Sequence, residues 1–355
     1  MSSPPNDVIL IVAPWLEGGG AQRALEQLLV HLPRERVHLI TLFDGCRHDE
    51  SVRALCGRTT ALDHPRTFVG VFRAAVSLRR WVRVSRTVYS LMRASHVVLG
   101  LVPRGLLASR RLAATFHQLP GAERSGAIAV AEEIMIRRGL ADAALVTTPA
   151  HTAIDDITAR RLCNTDRLIF EPNLVREHCL PPEPIRTGRL KEIRLIFAGR
   201  LTAQKGLDRI PDLLEASNIP VWLRIVGDGP AEVELRRSLA NVQPRHRVEM
   251  VPRTENVIPL IDWADAAFMP SRYELSPVFV WEAWQRGRGV LVSRISAFTE
   301  LAKRGPVLMF TSSNEFAKAV QDIAEYPSRL SAEDAARNAV ATMNRRSELV
   351  EFLAG

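Results

Sequence analysis

Two hydrophobic periodicities alternate along the 355 residues. Short runs of consecutive apolar, often β-branched residues suit strands buried on both faces, and between them apolar positions recur every three or four residues, as in amphipathic helices. In the first half, Val8–Ala13, Val37–Phe43, Val97–Val102, Leu112–Phe116 and Ala143–Thr147 predict strands. Ala21–Leu32, Val71–Arg93 and Ala129–Leu140 predict helices, and Gly18-Gly19-Gly20 predicts the turn after the first strand. In the second half, strands are predicted at Ile193–Ala198, Val221–Val226, Arg247–Val251, Ala266–Met269, Val290–Ser293 and Val307–Phe310, with helices at Leu207–Ser217, Ala231–Leu239 and Pro277–Gln285. This alternation predicts an α/β protein whose parallel sheets are covered by helices on both faces.

The two series are separated by Asn173–Lys191, which holds Pro181, Pro182 and Pro184 and has poor periodicity, as an exposed linker would. A chain of this length accommodates roughly two domains. The expected boundaries are a first domain over 1–178, a linker over 179–191 and a second domain over 192–335. Both read as doubly wound, Rossmann-like units, in which ligands bind at the carboxyl ends of the strands.

A chain that is 46% hydrophobic and 24% charged is neither disordered nor collagen-like. No apolar run approaches the roughly 20 residues of a membrane span. Met1–Asp7 has no basic residue and Val8–Ala13 is too short for a signal-peptide core, so a cytoplasmic location is expected. Cys46, Cys56, Cys163 and Cys179 form no Cys-x-x-Cys pair and are expected to be reduced thiols rather than a zinc site.

A formal net charge of +8 calls for an anionic partner. The charge is concentrated: Arg66 to Ala122 contains ten arginines and no Asp or Glu. Drawn as one helix, Val71–Arg93 places Arg79, Arg80, Arg83, Arg86 and Arg93 on one side with Arg73 beside them. That side is either the solvated face of a crossover helix or a docking face for an anionic membrane or a phosphate-bearing acceptor. Nucleic acid is not expected, because the arginines are not interleaved with aromatic residues at stacking positions.

Candidate chemistry lies mostly in the second half. In Ile196–Leu207 an apolar strand ends in Gly199-Arg200, and Arg200 and Lys205 bracket the turn that follows, able to converge on one diphosphate beside Gly206. Gly227-Asp228-Gly229-Pro230 is a second glycine-rich turn after a strand. In Pro270–Ala283, Ser276 suits an N-cap and Pro277 the first helical position. The amides of Val278 and Phe279 would then face outward at a positive helix end. Glu274 precedes that helix and Glu282 lies inside it, and two carboxylates so placed suit recognition of sugar hydroxyls.

Glu274 and Glu282 form an E-x7-E pair, and the segment around them resembles the "PSxxE…EAxxxGxPV" block of the family 4 retaining glycosyltransferases. Further resemblances follow in order: Gly19-Gly20-Ala21-Gln22-Arg23 to "GGxER", Thr115-Phe116-His117 to "TxH", Pro172-Asn173 to "PN", Gly199-Arg200-Leu201 with Lys205-Gly206 to "GRL…KG", and Gly227–Pro230 to "GxGP". The resemblance implies a GT-B fold, in which two Rossmann-like domains face a central cleft, with residues 336–355 as a helix returning to the first domain. It implies retaining transfer of a sugar from a nucleotide diphosphate sugar, with uridine preferred as the base, to a hydroxyl of a lipid-linked, cell-envelope or natural-product acceptor.

It further implies that no metal or cofactor takes part. Arg200 and Lys205 would hold the diphosphate, Glu274 the donor sugar, Glu282 the ribose, and His117 would orient the transferred sugar. Gly19, Gly20 and Gly199 would let backbone approach the donor, beside Leu275, Ser276, Val278 and Phe279. Two positions depart from the family pattern: Leu275 stands where glycine is common and Gly289 where proline is usual, which bears on the donor. The alternative is a non-catalytic GT-B protein that only binds a nucleotide sugar or a partner.

Overall fold

The computed structural model describes residues 7–16, 19–44, 50–123, 126–176, 182–240, 242–254, 256–331 and 347–355. The chain divides into two compact units, Met1–Leu174 with Arg346–Gly355, and Val175–Arg345. The first boundary falls at Leu174 rather than 178, and the proline-rich stretch belongs to the second unit. Its described part is not a free linker. Leu190 is buried and donates its N–H to Ala324 O, and the buried Arg288 donates to Glu183 O at 2.8 Å.

In the first unit, the strands described are β1 (Ile9–Ala13), β2 (Val37–Phe43), β3 (Arg58–His64), β4 (Thr87–Leu91), β5 (Arg111–Thr115), β6 (Leu145–Thr148) and β7 (Leu168–Phe170). They form one parallel sheet in the order β3-β2-β1-β4-β5-β6-β7. In the second unit, β8 (Ile193–Ala198), β9 (Val221–Val226), β10 (Arg247–Val251), β11 (Ala266–Met269), β12 (Val290–Ser293) and β13 (Val307–Phe310) give the order β10-β9-β8-β11-β12-β13, again parallel. Each sheet grows outward in both directions from its first strand. The chain therefore leaves opposite faces of the sheet at β1/β4 and at β8/β11, and a crevice opens there at the carboxyl ends of the strands.

The second-unit strands coincide with the predicted runs, but part of the first unit does not. The expected helix Val71–Arg93 is a helix over Phe68–Val84 followed by β4, and the expected strand Val97–Val102 lies within and just beyond a helix over Arg93–Gly100. Ser85 ends the first helix in extended conformation, its hydroxyl donating to Trp81 O. Thr87-Val88-Tyr89-Ser90-Leu91, β-branched and aromatic, then enters the sheet fully buried. Val97–Val102 is mostly apolar because its helix is packed in the interior, and an apolar run of that length reads equally as strand or buried helix. The backbone packing is close: a Cβ on Gly100 would lie 2.1 Å from Met135 O, and one on Gly139 2.7 Å from Gly100 N.

The C-terminal helix, Glu348–Ala354, buries Leu349 and Leu353 in the first unit's core beside Leu25, Tyr89 and Leu174. Residues 336–346 of the expected tail helix lie outside the described residues, as do Cys46, Cys179 and Gly18. Cys56 and Cys163 are free thiols whose pKa burial pushes up to about 11. No described helix is long and apolar enough to cross a membrane.

Three histidines of the first unit are held neutral by burial. His38 hydrogen-bonds Thr60 Oγ1 at 2.9 Å, with Arg58 adding repulsion, and its pKa falls to about 4. His96 bridges Ser90 Oγ at 2.7 Å and Thr115 O at 3.2 Å, and its pKa falls to about 3; that of His117 falls to about 4. A pKa below the unfolded value of 6.5 means that the stabilisation is complete above pH 6.5 and is lost as pH falls toward 4, with protons taken up on unfolding. The first unit should therefore melt at lower temperature at pH 5 than at pH 7.5. Thermal melts followed by circular dichroism check this, and an unchanged midpoint over that interval would contradict it.

Candidate donor site in the second unit

The loops after β8 and β11 leave the sheet at the point where strand order reverses, and they carry the predicted site residues. The β8 loop runs from Gly199 through a single 3₁₀ turn, Ala203–Lys205, to Gly206. Gly206 has φ +64°, and a Cβ there would lie 2.2 Å from Pro270 O, so only glycine lets the two loops touch. The Lys205 stem crosses Gly199, its Cε 3.7 Å from where a Cβ would stand.

The contact brings residues distant in sequence together. Lys205 Nζ donates to Glu274 Oε1 at 2.6 Å. Ser271 Oγ donates to the same oxygen at 2.7 Å, and Ser293 Oγ donates to Ser271 O. The Glu274 side chain is only 6% exposed, so its charge depends on the ammonium and hydroxyl beside it. Arg200 is exposed at the start of the β8 loop.

The helix after the β11 loop spans Val278–Gln285. Its N-cap is Pro277, not Ser276: Pro277 has an extended ψ of 116° and its carbonyl accepts from Val280 N–H. Val278 and Phe279 are thereby the first two helical residues rather than the second and third, and their amides still fall among those without an intrahelical acceptor. Both side chains are buried, as is Leu275. Glu282 is buried one turn further in. The sequence reading missed Ser271 as a support of Glu274; its place three residues before the glutamate was the available signal.

In the first unit, Gly19 has φ +115° and is the N-cap of the Gly20–Val30 helix, which starts beyond the carboxyl end of β1. His117 follows β5 and lines a cavity of about 30 Å³, room for one water, with Tyr89, Thr115, Thr147, Glu171 and Asn173. Tyr89 Oη donates to Thr115 Oγ1 at 2.8 Å, and that hydroxyl meets Thr147 Oγ1 at 2.6 Å. Burial raises the Glu171 pKa, partly offset by the hydroxyl of Ser347. Neither Tyr89 nor Glu171 belongs to a recognisable motif. Among the described residues no three His, Cys, Asp or Glu side chains are grouped to hold a metal ion.

The arginine face differs from its sequence outline. Arg73, Arg79, Arg80 and Arg83 lie on the Phe68–Val84 helix. Arg86 lies beyond it, 3.5 Å from Asp7, and Arg93 is buried in the next helix with Glu132 at 2.8 Å, so neither joins the face. On the same side stand Phe68, 81% exposed, and Phe72, 58% exposed, with Val69 and Val76. At 100° per residue these eight positions fall within about 140°, apolar from Phe68 to Val76 except at Arg73 and basic from Arg79 on.

The close approach at Gly206 makes a direct test of the site's construction. Gly206→Ala should destabilise the second unit by roughly 1–3 kcal/mol through left-handed strain and contact with Pro270 O. Gly105→Ala, where a Cβ would meet nothing within 4 Å, should be neutral or slightly stabilising. Urea melts of both variants read the difference.

Residues 185–340 match the family described as glycosyl transferases group 1. The chain is 28% identical over 159 residues to the GDP-mannose-dependent alpha-(1-6)-phosphatidylinositol dimannoside mannosyltransferase of Mycobacterium tuberculosis, a match covering 44% of this chain and 37% of the relative. The matched part thus spans little more than a third of that relative's length. Anabaena HepE, solved with UDP and glucose, superposes with a TM-score of 0.78 at 16% identity, covering 98% of this chain and 97% of that one. Sucrose-phosphate synthase from Thermosynechococcus elongatus superposes at 0.66 and 19% identity, covering 95% of each chain. The lipopolysaccharide outer core galactosyltransferase WaaB superposes at 0.66 and 15% identity, covering 97% of this chain and 96% of that one. At such identities the likeness carries the fold alone. The chain has the GT-B fold, and the part of its second unit over residues 185–340 matches the glycosyl transferases group 1 family.

Proposed function

We propose that this protein transfers a sugar from a nucleoside diphosphate sugar to an acceptor hydroxyl, with retention at the anomeric carbon. The observation that carries the reading is the Lys205–Glu274 pair, set in loops at the β8/β11 crevice beside the start of the Val278–Gln285 helix. A diphosphate entering there takes the Lys205 ammonium from Glu274, and Arg200 and the helix amides share its charge. Glu274, released from the ammonium, accepts from hydroxyls of the donor sugar, and the buried Glu282 accepts from the ribose. His117 of the first unit, held neutral by burial, is available there as a hydrogen-bonding group rather than a charge.

In the step itself the bond from the anomeric carbon to the phosphate oxygen breaks and the acceptor oxygen bonds to the same face. The acceptor proton passes to the departing phosphate. Arg200 and Lys205 stabilise the charge that grows on that phosphate, so the chain's own fixed cations serve the leaving group. A relative named for GDP-mannose and the Anabaena HepE structure holding UDP-glucose frame the choice of donor base, and we assign the buried Leu275 to the wall beside the donor sugar.

The acceptor we propose is a saccharide carried at an anionic membrane surface. The exposed Phe68, Val69, Phe72 and Val76 would enter the headgroup region, with Arg73, Arg79, Arg80 and Arg83 on lipid phosphates. Near an anionic bilayer each arginine contributes about 1 kcal/mol, reduced by salt.

Titration calorimetry with UDP-glucose and GDP-mannose should show binding of one of them, and incubation should show slow donor hydrolysis; binding without turnover would favour the non-catalytic alternative. Lys205→Ala should lower kcat roughly 100-fold or more, whereas Glu282→Ala should chiefly raise the Kd for the nucleotide. In sedimentation with phosphatidylcholine vesicles containing phosphatidylglycerol, the protein should pellet at low salt, and Phe68→Ser with Phe72→Ser should release it. Equal pelleting on pure phosphatidylcholine would contradict an electrostatic contribution to docking.

A further inference from the structure

Outside the residues assigned above, the densest polar linkage between the two site loops is made by one exposed side chain, Arg272. Its backbone N–H donates to Gln204 O at 2.8 Å. Its guanidinium donates from Nη1 to Ala203 O at 2.8 Å and to Asp208 Oδ1 at 2.7 Å, and from Nη2 to Asp208 Oδ2 at 2.7 Å. Gln204 answers with Nε2 donating to Tyr273 O at 3.0 Å. The acceptors at 203, 204 and 208 flank Lys205 on both sides, and Glu274 lies two residues beyond the arginine.

We infer that Arg272 and Asp208 form a clasp that positions the Lys205 ammonium against Glu274, and that Arg272 is a positioning residue for the donor diphosphate. The inference rests on the reading of Lys205 and Glu274 given above. An exposed ion pair contributes little to global stability, because both partners are well solvated when apart. Three guanidinium hydrogen bonds in fixed planar geometry, with the backbone bond to Gln204 O, instead restrict where the β8 loop can sit. Only a guanidinium spans both carboxylate oxygens and the Ala203 carbonyl at once; an ammonium is a point donor on a flexible stem. The pairing also holds the Asp208 carboxyl below its ordinary pKa, so the clasp is fully charged at neutral pH.

Composition makes the clasp directly observable. The chain has four lysines against 43 arginines, so side-chain ammonium resonances in a lysine-labelled sample number four. Lys205→Arg assigns one of them. In the unliganded wild type the Lys205 ammonium signal should be visible at low temperature, protected by its 2.6 Å bond to Glu274, and in Arg272→Gln it should be lost. The signals of Lys191, Lys303 and Lys318 should not move between these two proteins.

On the nucleotide sugar that the wild type hydrolyses, kcat/KM should fall roughly 10- to 100-fold in Arg272→Gln and in Asp208→Asn. The double variant should lose no more than the worse single one, and the melting temperature should stay within about 4 °C. Arg272→Lys should not restore the rate. An unchanged Lys205 signal in Arg272→Gln, a kcat/KM within twofold of wild type, or losses that multiply in the double variant would overturn the clasp. A wild type that hydrolyses no nucleotide sugar would overturn the proposed function instead, and the ammonium signal would still decide the clasp.

Discussion

The site depends on a constraint of chain topology. Crossovers between parallel strands are right-handed, so a sheet that grows both ways from its first strand must send its two central connections to opposite faces. Between β8 and β11 this leaves the carboxyl ends of two strands without a helix over them, and the loops that continue those strands lie side by side. Lys205 and Glu274, 69 residues apart, are neighbours for that reason. Gly206 makes the approach close enough, because any side chain there would occupy the space of Pro270 O.

The electrostatics follow from this closeness. A buried carboxylate at Glu274 needs compensation, and it receives an ammonium and a hydroxyl on one oxygen. The same compensation holds Lys205 in one place, and in the proposed function this lowers the entropy that a diphosphate would cost on replacing the carboxylate. Lysine suits such a proposed exchange, since a compact charge with three rotatable donors can change partner without a new planar fit. Arginine is used where the geometry must not change: Arg272 on Asp208, and Arg286 on Asp262 at 2.8 and 2.6 Å.

The first unit shows how the same topology yields a different surface. The Phe68–Val84 helix buries Ala74, Ala75, Leu78 and Val82 and leaves a second apolar stretch outward, so it is amphipathic in two directions. The exposed Phe68 and Phe72 are the part of this helix that solvation alone does not explain. The arginines that continue this face belong to one helix, while others in the stretch serve ion pairs, Arg93 with Glu132 and Arg104 with Asp142 at 2.9 Å, or donate to backbone carbonyls, Arg110 to Arg83 O and Arg111 to Phe352 O.

What the residues alone determined was the α/β alternation and every strand of the second unit, with the side chains of the candidate donor site placed at the ends of those strands, because buried parallel strands are written as unbroken apolar runs and turn glycines follow them. Periodicity failed between Val71 and Val102, where an amphipathic helix, a buried strand and a buried helix succeed one another with few polar residues to mark their phases. The reach of the arginine face, the partnership of Lys205 with Glu274, the Ser271 and Arg272 contacts around it, and the cavity beside His117 were decided by tertiary structure. Each joins residues from separate strands, and a contact of that kind is set by which strand ends the sheet brings together, a property that no local stretch of sequence contains.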